Sequence, residues 1–226
     1  MPPAEPVLVA RDVVRRFGYR PVLAGVSFTL APGEALMLVG HNGAGNTTLL
    51  RVLAGLLRAS GGTIELRGNV GMVAHYSMLY DALTARENLR FFGRLHDGRS
   101  AGRADALLEV MGLTAVGDQR VGSFSRGMTQ RLAIARALLS DPDILLLDEP
   151  LTGLDDASLA KVVDVLGGLR ARGRALLIAS HQLAELMGVI TSVGVLARGR
   201  LQAVEPVGGR GVDAITARYR EVVRGE

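Results

Sequence analysis

Apolar positions recur with two different periods along the chain. Runs at Val7–Val14 and Val22–Leu30 flank the segment Phe17-Gly18-Tyr19-Arg20-Pro21 and predict two strands around a turn. Ala35–Val39 is a short, fully apolar strand that runs into a glycine-rich loop. From Thr47 to Leu57 the period changes: Leu49, Leu50, Leu53, Leu56 and Leu57 form the stripe of an amphipathic helix. Gly61 and Gly62 lead into a further strand pair, Thr63–Leu66 and Val70–Ala74. Residues from about Ser77 to Val121 read as mainly helical, with helices expected at Thr84–Leu95 and Ala101–Met111. A helix at Met128–Ser140, a buried strand at Asp143–Asp148, a helix at Asp156–Arg172 and a buried strand at Ala175–Ser180 complete the series. Strands alternating with helices imply an α/β fold around a parallel sheet, with the middle helical block as an inserted lobe.

Composition narrows the chemistry. A chain of 226 residues with 48% hydrophobic and 21% charged residues can bury one sizeable core, so a disordered chain is excluded. No cysteine occurs, which removes disulfide scaffolds, thiolate metal sites and cysteine nucleophiles. The net charge of +4 is dispersed along the chain, and aromatics are 4% with no tryptophan, which argues against a nucleic-acid binder. The 26 basic residues include a single lysine, Lys161, so the basicity is arginine. The start MPPAEPVLVARD lacks the basic and apolar regions of a secretory signal. The apolar neighbourhood Ala175–Ala197 is broken by His181, Gln182 and Glu185, so no membrane span is expected and the chain reads as cytosolic.

The segment Gly40-His41-Asn42-Gly43-Ala44-Gly45-Asn46-Thr47-Thr48 lies between a predicted strand and a predicted helix. Its glycines permit a tight loop whose backbone N–H groups face a polyphosphate at a helix N-terminus. Thr47 is placed to offer its hydroxyl to Mg²⁺. The pattern matches G-x-x-x-x-G-K-[ST] except that Asn46 stands where lysine belongs. Asparagine offers a dipole and N–H donors, but no charge. Two unit charges at about 4 Å interact by roughly 4 kcal/mol at an effective dielectric of 20. Nucleotide binding that is retained but weakened, with poor hydrolysis, is therefore expected.

A second constellation follows downstream. The apolar run Ile144–Leu147 ends in Asp148-Glu149-Pro150, which delivers Asp148 to a metal shell and sets Glu149 beside it as a base for water. Ser125-Arg126-Gly127-Met128-Thr129-Gln130-Arg131 opens the Met128–Ser140 helix. Ser125 reads either as an N-cap or, with Gly127, as part of a helix end aimed at phosphate. His181 follows a strand and a serine, in a position to hydrogen-bond a γ-phosphate or to serve structure alone.

Taken in order from Gly40 to His181, these motifs closely resemble the ATP-binding subunit of an ABC transporter, and the flanking strands extend the resemblance over almost the whole chain. The resemblance implies a P-loop NTPase core of ABC ATPase type, with an antiparallel β subdomain and an inserted helical subdomain at about 77–140. It implies one ABC ATP-binding domain over residues 1–226, with ATP and Mg²⁺ as ligands. By that resemblance Phe17 stacks on adenine, with Tyr19 as a competitor. Gly40, Asn42, Gly43, Ala44, Gly45, Asn46, Thr47 and Thr48 form the phosphate and magnesium loop. Asp148 orients the metal, Glu149 is the general base and His181 contacts the γ-phosphate. Ser125 and Gly127 reach nucleotide in an opposite subunit, and Asp155, in the Leu154-Asp155 turn, couples the two sites. The implied partners are a transmembrane permease subunit and a second copy of the chain or a related ATPase subunit, with no nucleic acid. The implied location is the cytoplasmic face of the membrane. The loop Ala74-His75-Tyr76-Ser77 departs from the family, which places a metal-touching glutamine there.

The stretch Met78–Phe92 and the segment SRGMTQRL resemble exporter-type ATPases, most of all the haem exporter of cytochrome c maturation, with drug or antibiotic exporter ATPases as the alternative. With only Glu205–Glu226 expected as a tail, no room is left for the regulatory domain of sugar importers. The exposed side of Ser77–Phe92 is expected to dock on the permease, and at least one of Phe91 and Phe92 to pack in the core. Asn46 also favours a hydrolysis-poor, nucleotide-binding regulatory subunit.

Overall fold

The computed structural model describes residues 5–41, 43–74, 76–96 and 100–217. Asn42, His75 and the end of the chain beyond residue 217, all named above, lie outside the described residues.

Two sheets carry the fold. A three-stranded antiparallel sheet is formed by β1 (Leu8–Phe17), β2 (Arg20–Leu30) and β4 (Gly61–Leu66), in the order β2-β1-β4. A six-stranded sheet is formed by β3 (Ala35–Val39), β5 (Val70–Val73), β6 (Ile144–Asp148), β7 (Ala175–Ala179), β8 (Ser192–Ala197) and β9 (Arg200–Pro206). Its order is β5-β6-β7-β3-β8-β9, parallel throughout except for the edge strand β9.

Burial on both faces explains why the central strands read as continuous apolar runs rather than as alternation. Met37, Val39, Leu145, Leu147, Leu176 and Ile178 face one core, shared with the helices of the inserted lobe. Leu36, Leu38, Ile144, Leu146, Leu177 and Ala179 face the other, shared with β1, β2 and the helix α1 (Asn46–Leu53). Successive residues of one strand thus anchor opposite layers.

Several predicted boundaries shift for identifiable reasons. The helix expected to reach Leu57 ends at Leu53, because Gly55 takes a left-handed conformation and the Leu56 and Leu57 N–H groups fold back onto the Arg51 carbonyl. The strand pair expected at Thr63–Ala74 is no pair: β4 joins β1 in the small sheet, and β5 joins β6 in the large one. Turn residues dictate a change of direction, not the partner on the far side. The tail expected from Glu205 begins later, since β9 runs through Pro206 and a helical stretch follows at 212–217.

The inserted lobe contains α2 (Ala85–His96) and α3 (Ala104–Val110), followed by α4 (Arg126–Ala137), which leads back to the sheet. Entry into α2 is closed by a capping box. The Glu87 N–H donates to Thr84 Oγ1 and the Thr84 N–H donates to Glu87 Oε2. Those bonds hold the Glu87 carboxyl below the usual carboxylate range. Asn88, fully buried, ties down the preceding loop: its Oδ1 accepts from the Tyr80 N–H at 2.8 Å, and its Nδ2 donates to the Tyr80 and Thr84 carbonyls at 3.0 Å. Arg86 holds Asp105 and Asp118 together across the lobe.

Asn88→Ala removes the acceptor of the Tyr80 N–H, while the Tyr80 and Thr84 carbonyls keep the Leu83 and Asn88 backbone donors, so we expect it to lower the unfolding free energy by about 1–2 kcal/mol. Urea denaturation with an unchanged m-value reads that effect directly.

Candidate functional site

The parallel strands β3, β6 and β7 end on the same edge of the large sheet, where ligands of open α/β sheets bind. An open cavity of about 620 Å³ lies there. Gly40, Gly43, Ala44, Gly45, Asn46, Thr47 and Thr48 form one wall, and Asp148, Glu149 and His181 close the opposite side.

Steric demands shape the loop. A Cβ on Gly40 would lie 2.5 Å from the Leu196 carbonyl oxygen and 2.9 Å from Ala44 Cβ. Gly45 adopts a φ of 113° at the N-cap of α1, where only glycine is comfortable, and a Cβ there would meet Leu23 at 3.0 Å. The result is a close turn that leaves the first N–H groups of α1 facing the cavity.

Thr47 and Asp148 meet across this cavity, with Thr47 Oγ1 donating to Asp148 Oδ1 at 3.2 Å. Asp148 is 3% exposed, and its Oδ2 is buried without a hydrogen-bond partner. A hydroxyl and a carboxylate with one unused oxygen are hard donors that fit Mg²⁺. Among the described residues no cluster of three or more His, Asp or Glu is placed to hold a metal alone. The side-chain oxygen of Asn46 is likewise buried and unpaired.

Glu149 occupies a strained position. Its φ of 51° is left-handed, although a proline follows, and its N–H donates to the Ala179 carbonyl at 2.8 Å. The carboxylate is oriented from β7's end: Ser180 Oγ donates to Oε2 at 3.2 Å, and His181 Nε2 lies 3.5 Å from Oε1. From behind, Gln130 Nε2 donates to the Pro150 carbonyl at 3.0 Å and fixes the turn that carries Glu149. A carboxylate held this way, facing an open polar cavity, is equipped to take a proton from water.

Four sequence-derived residues stand apart from this cavity, as does the competitor Tyr19. Phe17 is half-exposed and does not line it; the Arg15 guanidinium lies 4.5 Å above its ring, and Arg20 and Val22 form the cavity wall on that side. Tyr19 is fully exposed. Ser125 caps α4, accepting from the Met128 N–H at 3.2 Å, and Gly127 packs beneath the Gly153 carbonyl. Asp155 caps α5 (Asp156–Ala171) through the Ser158 N–H at 2.8 Å, a bond that holds its carboxyl below the usual range. Sequence reasoning overlooked Arg20 and Arg51, and it met Gln130 and Ser180 only within longer motifs, without a role of their own. Only Arg51 carried a usable signal, since it follows Thr47 by one helical turn.

The family model for ABC transporters matches residues 23–152, more than half of the chain. Nod factor export ATP-binding protein I of Burkholderia lata is 42% identical over 206 residues, covering 84% of this chain and 67% of the relative. Daunorubicin resistance ATP-binding protein DrrA3 of Streptomyces coeruleorubidus is 34% identical, covering 94% of this chain and 74% of the relative. Linearmycin resistance ATP-binding protein LnrL of Bacillus subtilis is 30% identical over 88% of this chain and 68% of its own length. A solved ATP-binding subunit of an ABC transporter superposes with a TM-score of 0.85 at 25% identity, over 95% of this chain and 99% of that one. The chain belongs to the ABC transporter family, as one of its ATP-binding, ATP-hydrolysing subunits.

The Gly40 contact yields a direct check on the loop. In Gly40→Ala the new methyl meets a backbone carbonyl that no rotamer change can move, so we expect a loss of about 1–3 kcal/mol in urea unfolding.

Proposed function

We propose that this chain powers an exporter of small amphiphilic or antibiotic-like molecules, binding ATP in the cavity at the strand ends and hydrolysing it slowly. One observation carries the nucleotide part: a single cavity gathers the phosphate loop, Asp148, Glu149 and His181. The cargo part rests on relatives whose names describe export of Nod factor and resistance to daunorubicin and linearmycin. These relatives support the drug-exporter alternative; the haem-exporter subtype expected from Met78–Phe92 and SRGMTQRL gains no support from them.

In this reading Thr47 and Asp148 would hold Mg²⁺, which would supply positive charge beside the nucleotide's phosphates. Glu149 takes the proton of the attacking water, and His181 contacts the γ-phosphate. Ser125 and Gly127 stand clear of the chain's own cavity, as residues that complete the site of an opposite subunit would, with Asp155 between the two sites. The opposite subunit is a second copy of the chain or a related ATPase subunit. A transmembrane permease docks on the lobe. Tyr80, Phe91 and Phe92 form an aromatic cluster with centroids 5.2–5.8 Å apart. Phe92 packs inward while Tyr80, Phe91 and Met78 stay exposed, and an exposed apolar patch of this kind suits a protein partner. Among the described residues no helix is long and apolar enough to cross a membrane, so association with the membrane runs through that partner. The location proposed is the cytoplasmic face.

Asn46 favours a second reading, a subunit that binds and releases ATP with little turnover. Restoring lysine separates the two: with the permease present, Asn46→Lys should raise steady-state ATPase on the order of 10–10³-fold. Equal rates would exclude a role for the missing charge. In that lysine background, Glu149→Gln should lower kcat by about 10²–10⁴-fold while ATP binding changes little. Phe91→Asp should abolish copurification with the permease and leave ATP affinity intact.

A further inference from the structure

We propose that Arg51, with Arg20 on the facing wall, supplies the positive charge that the phosphate loop lacks at Asn46. The two guanidinium groups would then grip the polyphosphate of the bound nucleotide from outside the loop. The proposal rests on the nucleotide-site reading above and concerns which residues meet the phosphate charge.

Arg20 and Arg51 are the arginines that line the cavity. Neither side chain has a hydrogen bond or ion pair among the described residues. Other arginines of the chain pair with carboxylates, as at Arg11–Glu65, Arg86–Asp118, Arg174–Asp143 and Arg210–Glu205, or bond backbone carbonyls, as Arg131 and Arg136 do. What sets Arg20 and Arg51 apart is that they line the cavity. The two cations balance the Asp148 and Glu149 carboxylates of the same cavity in number but form no ion pair with them. The guanidinium groups are therefore available to an anionic ligand on the loop side, while the carboxylates face it from the other.

The geometry of α1 directs Arg51 toward that ligand. Residues four apart share a helix face, so Arg51 lies beneath Thr47, with Cβ atoms about 5–6 Å apart. Helical side chains lean toward the N-terminus, which carries the Arg51 stem back up past Thr47 to the mouth of the phosphate loop. Arg51 is half-buried, as expected for a stem packed along the helix with its head in the cavity. Arg20 approaches from the other side. It opens β2, whose Val22 carbonyl packs against Gly45 at the entrance to α1, so closely that a Cβ on Gly45 would lie 3.1 Å from it.

Charge chemistry completes the case. Asn46 can donate a hydrogen bond to a phosphate oxygen, but it cannot neutralise one. A guanidinium stays charged at every working pH and presents several donors in a fork that matches phosphate oxygens. The charge is thereby moved from the loop to its two neighbours.

Affinity measured on a double-mutant cycle tests this. Calorimetric titration of ATP and of AMP would be compared, each with Mg²⁺, for the full chain, Arg51→Ala, Asn46→Lys and the double variant. We expect Arg51→Ala to weaken ATP binding about 10- to 100-fold while AMP changes little, because AMP lacks the distal phosphates. In the Asn46→Lys background the same change should cost less than about threefold, since lysine then supplies the charge. Arg51→Lys should retain most of the ATP affinity, and Arg20→Ala should show a smaller loss in the same direction. Equal losses in both backgrounds, equal losses for ATP and AMP, or no loss overturns the proposal. If Asn46→Lys leaves ATP no tighter than before and no tighter than AMP, the site reading itself fails. If that variant gains affinity while Arg51→Ala has no effect, only the arginine assignment fails.

Discussion

Burial of the central sheet on both faces is the constraint from which the rest of the molecule follows. Met37 and Leu38, or Leu145 and Leu146, point into different cores, so neither face can host polar chemistry. The strands can expose functional groups only where they end. Because β3, β6 and β7 run parallel and adjacent, their ends bring together segments far apart in sequence: the glycine-rich loop, the acidic pair and the serine–histidine pair. Packing thus fixes the framework, and the framework limits the chemistry to one edge.

At that edge the protein departs from the usual electrostatic solution. A helix N-terminus contributes only about half a charge, confined to the first turn. Thr47 and Asp148 occupy each other, and the spare Asp148 oxygen is an acceptor that favours a cation rather than a phosphate. Positive charge must therefore enter from beyond the loop. The arginine bias of the chain gains local meaning here, because guanidinium is available on both flanks while the loop itself has none.

Much of this was legible in the sequence because apolar period and glycine spacing report local geometry. The boundaries of β3 coincide with the expected ones, and β6, β7 and α5 lie within a residue of theirs. The phosphate loop, Asp148, Glu149 and His181 converge as their order along the chain implied. What the sequence hid is non-local. The separate sheets of β4 and β5 depend on which strand lies across the turn. Phe17 falls outside the cavity because Arg20 and Val22 occupy its wall. The bond from Ser180 to Glu149 spans two strands, and no spacing rule encodes it. The edge pair β8–β9 went unassigned, since the half-exposed alternation of β9 carries little apolar signal.

The end of β7 touches Glu149 three times, through the Ala179 carbonyl, the Ser180 hydroxyl and the His181 ring. Glu149 sits on β6's exit in a backbone conformation that the chain would not adopt unaided. Glu149 and His181 are consequently aligned with each other by the register of one strand pair. The three contacts to Glu149 therefore share one origin, the position of β7 beside β6. The orientation of these two side chains is thus set by the alignment of two buried strands, not by the loops that carry them alone.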